Sequence, residues 1–441
     1  MDYDVIVIGA GPGGYEAAAR AAGQGLSTLL VEKSHLGGTC LNCGCIPTKA
    51  MCRSAQVAAD VAHSADFGII IPEGAVRVDM GRIVERKHII VGELREAVAS
   101  LCAGVEIVEG EARFTAPHTV EVDGKSYTAP KIIVATGSRA ASLAVPGAEL
   151  AVDASYLLDM ETLPESLAVI GGGVIGMEFA SIFSAFGVKV SVVEYCKEIL
   201  PMMDRDVART VRTALKRRGV EIITEAEVKE ITEESSGLRT VIYERKGRPA
   251  AVEAQTVLMA VGRRPVVPEG LEAWGAAVGR RGIEVDENFE TSLPGVFAIG
   301  DCNGRCQLAH AASAQAVAVT GGKIDLSVIP SAVFTVPECA MVGRTEQHLA
   351  EEGIDFKVSK ATFRSNGKAL TMGEPDGVVK IITDPASGLI MGCQIVGAHA
   401  ADLIAEVSLA MSAGVSARQM AATVHSHPTL GEALLAALRG C

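Results

Sequence analysis

The stretch Gly37-Gly38-Thr39-Cys40-Leu41-Asn42-Cys43-Gly44-Cys45-Ile46-Pro47-Thr48-Lys49 concentrates the chemistry of this chain. Three closely spaced cysteines admit three readings. Cys40 and Cys45 could close a disulfide across a bent segment, Cys40-x-x-Cys43 could form a thioredoxin-like pair, or all three could ligate a metal. Zinc spacing calls for a second ligand pair, and the sequence offers none at that spacing. Pro47 suits the first turn of a helix, which would put Cys45 at its N-terminus, where the dipole favours a thiolate. Cys43 is then expected to be a small buried hydrophobe. Two thiols beside a redox cofactor would store an electron pair as a dithiol and release it as a disulfide.

The elements that must position these thiols repeat. Val5-Ile6-Val7-Ile8 is a β-branched run of the kind buried on both faces of a parallel sheet. It enters Gly9-Ala10-Gly11-Pro12-Gly13-Gly14 and then a helix-favouring stretch, and a second strand, Leu29-Leu30-Val31, ends at Glu32. The same layout returns as Ala168-Val169-Ile170, Gly171-Gly172-Gly173-Val174-Ile175-Gly176, and Val190-Ser191-Val192-Val193 ending at Glu194. Each acid lies 23 residues after the first glycine of its unit. Gly9 and Gly171 permit the tight turn, Gly11 and Gly173 let the backbone approach a pyrophosphate, and Gly14 and Gly176 allow close helix–strand packing. The helix N-terminus faces the phosphates, and the acid accepts from ribose hydroxyls. Two dinucleotide-binding units are expected, with alternating strands at 112–137 and 238–262 closing them. From about residue 330 the texture changes. Val378–Thr383 and 389–396 flank an Asp-Pro-Ala-Ser-Gly turn, with helices following at 400–413 and 430–439, as in an α+β domain.

At 441 residues the chain has room for about three domains. Hydrophobic residues make up 49%, ample for a core, and 53 acids against 40 bases give a net charge of −13 that argues against nucleic acid. No uncharged apolar run approaches the roughly 18 residues of a membrane span, and Met1-Asp2-Tyr3-Asp4 is no export leader. Eleven cysteines without framework spacing fit a reducing cytoplasm.

These motifs, in this order and over essentially the whole chain, resemble the flavin-dependent pyridine nucleotide–disulfide oxidoreductases, and among them those that oxidise protein-bound dihydrolipoamide to lipoamide. Further matches are Gly295-Val296-Phe297-Ala298-Ile299-Gly300-Asp301 and His425-Ser426-His427-Pro428-Thr429-Leu430-Gly431-Glu432. The resemblance implies an α/β fold with two Rossmann-like domains, FAD-binding at 1–138 and NAD-binding at 139–262. A segment at 263–329 would complete the FAD site, and 330–441 would form the dimer interface. It implies Cys40 as the interchange thiol, Cys45 facing the flavin, Lys49 near flavin N5 and paired with Glu178, and Asp301 on the ribityl chain. His427 would be the general base, oriented by Glu432 and serving the partner subunit's disulfide. FAD would also meet Gly9, Gly11, Gly14, Glu32, Ala112, Thr136, Gly137, Ser138, Leu308 and Ala309. NAD would meet Gly171, Gly173, Gly176, Glu178, Glu194, Val228 and Gly262. Glu194 repels a 2′-phosphate, so NAD is favoured over NADP. No metal site is implied. The implied partners are a second copy and a lipoyl-bearing protein of a 2-oxoacid dehydrogenase or glycine cleavage assembly. Other disulfide or metal-ion reductases of the family, or a structural FAD-binding subunit, remain alternatives. Cys441 stands alone at the C-terminus, where mercuric-ion reductases carry a vicinal pair.

Overall fold

The computed structural model describes residues 1–72 and 74–441. The chain divides into two compact units. The first comprises residues 1–51, 81–141 and 262–326, and the second residues 52–80, 142–261 and 327–441.

The first unit is built on a parallel sheet ordered Val296–Ala298, Lys131–Val134, Val5–Ile8, Thr28–Glu32, Glu106–Glu109. Val5–Ile8 lies at its centre, and its side chains alternate between two cores. Ile6 and Ile8 join Phe114, Val120 and Val122 of an antiparallel three-stranded sheet (Arg113–Ala116, Thr119–Val122, Lys125–Thr128), while Val5 and Val7 pack on Ala17, Ala18 and Ala21 of the helix Pro12–Gly23. Burial on both faces explains the unbroken apolar run, because no side of this strand meets water.

The second unit repeats that plan on a parallel sheet ordered Glu221–Ile223, Lys189–Val193, Ser166–Ile170, Thr256–Met259, with the helix Val174–Ala185 after the glycine turn. Ala226–Glu233, Arg239–Arg245 and Arg248–Ala254 form its antiparallel appendage. The same unit holds a five-stranded antiparallel sheet ordered Ser331–Val333, Cys339–Gly343, Ile390–Val396, Val378–Thr383, Lys357–Thr362. The hairpin between Val378–Thr383 and Ile390–Val396 turns on Asp384, whose Oδ1 accepts from the Ala386 and Ser387 amides at 2.9 and 2.6 Å. The helices Ala400–Ser412 and Gly431–Leu438 cover the sheet through Ile404, Val407, Leu434 and Leu438. Two Rossmann-like βαβ units and an α+β domain are therefore present. The compact units do not follow contiguous sequence ranges. Residues 52–80 group with the second unit, where the Phe67 ring lies against Gly373 and Cys52 Sγ lies 3.5 Å from the Phe334 carbonyl.

The α+β sheet is tied to the helix Arg205–Arg217 by a buried ion cluster. Lys380, 1% exposed, places Nζ 3.1 Å from Asp204, 2.5 Å from Asp206 and 2.6 Å from Glu346. Burial alone would favour the neutral amine, but the hydrogen bonds that Lys380 donates to Asp206 and Glu346 outweigh it and hold the ammonium above its ordinary pKa. Asp204 also accepts from Gln394 Nε2 at 2.5 Å and from the Glu346 amide at 2.9 Å. Lys380→Met keeps most of the side-chain volume and takes the buried cation from Asp204, leaving only Lys360 to pair Asp206 and Glu346, so it should cost about 3–5 kcal/mol. A urea unfolding midpoint equal to that of the unsubstituted chain would refute this.

Candidate active site

The two glycine turns are alike in detail. Gly9 (φ +97°) and Gly171 (φ +105°) have left-handed backbones that disfavour a side chain. No atom lies within 4 Å of where a Cβ on Gly11 or Gly173 would stand, and these residues open the helices Pro12–Gly23 and Val174–Ala185 without any side-chain cap. The open space and uncapped amide ends fit a pyrophosphate at each turn. The acids do more than end strands. Glu32 accepts from the Ala10 amide at 2.6 Å and the Ser34 amide at 2.9 Å, and Glu194 accepts from the amides of Gly172 and Cys196. Each carboxylate thus braces its own glycine turn and retains lone pairs for a ribose. Glu194 is buried, which removes the reading of it as an inert acid in water.

The cysteine segment docks on the first turn. Gly37 donates to the Ala10 carbonyl at 2.8 Å, and a Cβ on Gly38 (φ +58°) would stand 2.6 Å from Gly11 Cα. The short helix Gly38–Cys43 ends at Gly44, and the 18-residue helix Cys45–Ala62 begins immediately after it. Cys45 therefore occupies the helix N-terminus, as expected from Pro47. A side chain at Gly44 would come within 2.9 Å of the Thr39 carbonyl and 3.3 Å of Cys40 Cα, so glycine permits the two cysteines to meet. The side chains of Cys40 and Cys45 are hydrogen-bonded to each other. That bond, with burial added, pushes the Cys40 thiol well above its ordinary pKa, while the Cys45 backbone N–H and the Lys49 ammonium act in the other direction. All eleven cysteines are thiols in this structure. Cys43 corrects the sequence expectation. It is exposed, because Leu41 takes the buried face of the short helix, against Val91 and Val98.

Sequence reasoning missed the residues that brace this segment. Asn42 donates to the carbonyls of Leu36 (3.0 Å) and Gly38 (2.8 Å) and accepts from Arg95 Nε and Nη2 at 3.1 and 2.7 Å. Arg95 is 53 residues away, and no local pattern announces it. Arg263 was missed as well. It donates to Ser138 Oγ at 2.7 Å and lies 3.9 Å from Asp301, to which Ser138 also donates. Asp301 lies in the turn Gly300–Asn303, whose Gly300 amide donates to buried Gln315. Thr136 donates to the Val266 carbonyl, and Gly137 (φ +69°) makes the turn to Ser138. Leu308 and Ala309 begin an uncapped helix, Ala309–Val319. Ala112 and Val228 are buried beside their sheets, and Gly262 (φ +104°) accepts from the Ala141 amide. In the second unit buried Glu178 accepts from the Phe334 amide at 3.0 Å.

Near the C-terminus two histidines have different surroundings. His425 is held at both ring nitrogens, by Glu406 at 3.0 Å and the Thr423 carbonyl at 3.0 Å. His427 contacts Glu432 through Nδ1 alone, at 2.9 Å, with its side chain 79% exposed and Nε2 open. Hydrogen bonds from His427 and the Thr429 amide hold the Glu432 carboxyl below its ordinary pKa, so it stays anionic and keeps the ring oriented. An imidazole fixed at one nitrogen and open at the other can take a proton from an arriving thiol.

Comparison with known proteins agrees with this chemistry. Residues 3–316 match the pyridine nucleotide-disulphide oxidoreductase family, and residues 329–438 match its dimerisation domain. The dihydrolipoyl dehydrogenase of Geobacillus stearothermophilus is 41% identical over 98% of this chain and 94% of its own length. That of Bacillus subtilis is 42% identical over 98% and 95%. Among solved structures, the Cu(II) complex of the HOCl-induced flavoprotein disulfide reductase RclA from Escherichia coli superposes with a TM-score of 0.88 at 28% identity, covering 100% of this chain and 99% of that one. With its family match running over residues 3–316 and the dimerisation-domain match over residues 329–438, the chain belongs to the pyridine nucleotide-disulphide oxidoreductases.

Proposed function

We propose that this enzyme oxidises the dihydrolipoyl group of a carrier protein to lipoyl and reduces NAD, acting as a homodimer in the cytoplasm. The observation that carries this reading is the contact between Cys40 and the Cys45 side chain at the start of a long helix. Residues 1–138 and 263–329 bind FAD, 139–262 bind NAD, and 330–441 form the subunit contact. FAD, when bound, would supply a two-electron acceptor between the Cys40–Cys45 dithiol and NAD. Gly9, Gly11, Gly14 and Glu32 hold its adenosine and pyrophosphate end, and Ser138 and Asp301 hold its ribityl chain. Lys49 would support the ring. Gly171, Gly173, Gly176 and Glu194 hold NAD in the same manner.

The protein's own residues carry the thiol exchange. A substrate thiol gives its proton to His427 Nε2 and attacks Cys40 Sγ, and the sulfur–sulfur bond breaks with Cys45 leaving as thiolate. The helix N-terminus stabilises that leaving group. The second substrate thiol then displaces Cys40 and closes the lipoyl disulfide. Two electrons and two protons have left the substrate, and the Cys40–Cys45 pair is reduced. Glu432 fixes the His427 tautomer with Nδ1 as donor, leaving Nε2 as the base. The exposure of His427 in a single chain suits a base that works across a subunit boundary.

Cys45→Ser should retain the flavin absorbance and lose at least roughly 10³-fold in dihydrolipoamide:NAD activity. Full activity would refute the relay. His427→Gln should lose about 10²- to 10⁴-fold and His425→Gln less than about 10-fold, and equal losses would remove the assignment of the base. Glu194→Arg should raise the KM for NAD by about 10- to 100-fold. An unchanged NAD-to-NADP preference would contradict the role of that carboxylate.

A further inference from the structure

We propose that the first unit carries an anion site for a small molecule bearing several phosphate groups, separate from both glycine turns. Its walls are the strand Arg263–Pro265, the hairpin of Val278–Gly279 and Gly282–Ile283, and the turn at Gly304, which line a half-open cavity of about 580 Å³. That volume falls within the range of small-molecule sites. Arg263, Arg264, Arg280 and Arg281 all line it. Arg263 is committed to Ser138 and Asp301. The other three are exposed and have no carboxylate within ion-pair distance among the described residues.

A second observation is independent of the cavity. In the antiparallel ladder Arg264 stands directly opposite Arg139, and both are exposed. Like charges at paired positions repel each other, and a bound polyanion would relieve that repulsion. The hairpin is held rigidly at this place. A Cβ on Gly282 (φ +133°) would stand 3.1 Å from Pro265, and one on Gly304 (φ +65°) would meet the Arg281 carbonyl. Pro265, Val267 and Val278 give the cavity an apolar wall beside the guanidinium groups. Guanidinium forks pair two oxygens at a time with phosphate, and the apolar wall offers a face to an attached organic group. The Glu284 carboxylate lies beside Gly279, a lining residue, and is the acid set against the four arginines at this hairpin. None of Gly9, Gly11, Gly171, Gly173, Cys40 or Cys45 lines the cavity, which meets the residues assigned to FAD only through Arg263.

The test is calorimetric titration of FAD-loaded protein, saturated with NAD, with inorganic tripolyphosphate. Saturable binding to one site is expected, weakening as salt rises from 50 to 200 mM. It should weaken at least tenfold in the triple variant Arg264→Gln, Arg280→Gln, Arg281→Gln, with dihydrolipoamide:NAD activity unchanged. Should the triple variant fail to fold, Arg281→Gln alone, on the exposed hairpin tip, should weaken binding about threefold or more. The absence of saturable heat, or equal affinity in the parent and a folded variant, would overturn the site.

Discussion

A side chain at position 44 would strike the Thr39 carbonyl and crowd Cys40, so the turn between two helices brings Cys40 against Cys45 only because glycine stands there. The rest of the site follows from that approach. The long helix can then begin at Cys45, with the positive end of its dipole next to that residue's sulfur, where it favours a thiolate. Cys40 keeps its proton because its neighbour and its burial both resist a second negative charge. The two sulfurs are chemically unequal although they lie five residues apart in one segment. Asn42 and Arg95 hold that segment from one side, and the Gly38–Gly11 backbone contact holds it from the other.

The backbone contact also sets the dithiol beside the first glycine turn. A turn built to admit a pyrophosphate must be nearly bare of side chains, and the cysteine segment uses the same bareness to pack on it. Glu32 and Glu194 show a matching economy. Each ties the amide beside the first glycine to the end of the next strand, so the carboxylate that would meet a ribose is already oriented. Both copies use the same bonds at the same spacing, which is why one reading of the turn serves two halves of the chain.

Motifs that act over short spans were legible in the sequence. The glycine turns, their acids, the start of a helix at Cys45 and the Asp384 hairpin depend on residues within about two dozen positions of each other, and local sterics dictate their types. Features made by distant partners were not legible. Arg95 reaches Asn42 across 53 residues, Arg263 reaches Ser138 across 125, and Lys380 reaches Asp204 across 176. An arginine or lysine looks alike in sequence whether it faces water or a buried carboxylate. Cys43 was misread because a six-residue helix shows too little periodicity to reveal its buried face, which Leu41 occupies. The grouping of residues 52–80 was missed for a related reason: it depends on Phe67 meeting Gly373, about 300 residues away. His427 was singled out through the family resemblance, with His425 read as its structural neighbour, and the structure adds the physical difference: one ring is held at both nitrogens and the other at one.

Anaerobic titration of the FAD-loaded protein with dihydrolipoamide, followed by NAD, tests the central claim most directly. The account predicts a long-wavelength absorbance band from a thiolate lying against the flavin, which then disappears as NADH absorbance grows. A flavin that stays oxidised with dihydrolipoamide but bleaches with NADH or NADPH would contradict it, and would make the Cys40–Cys45 pair the centre of a different disulfide or metal reductase.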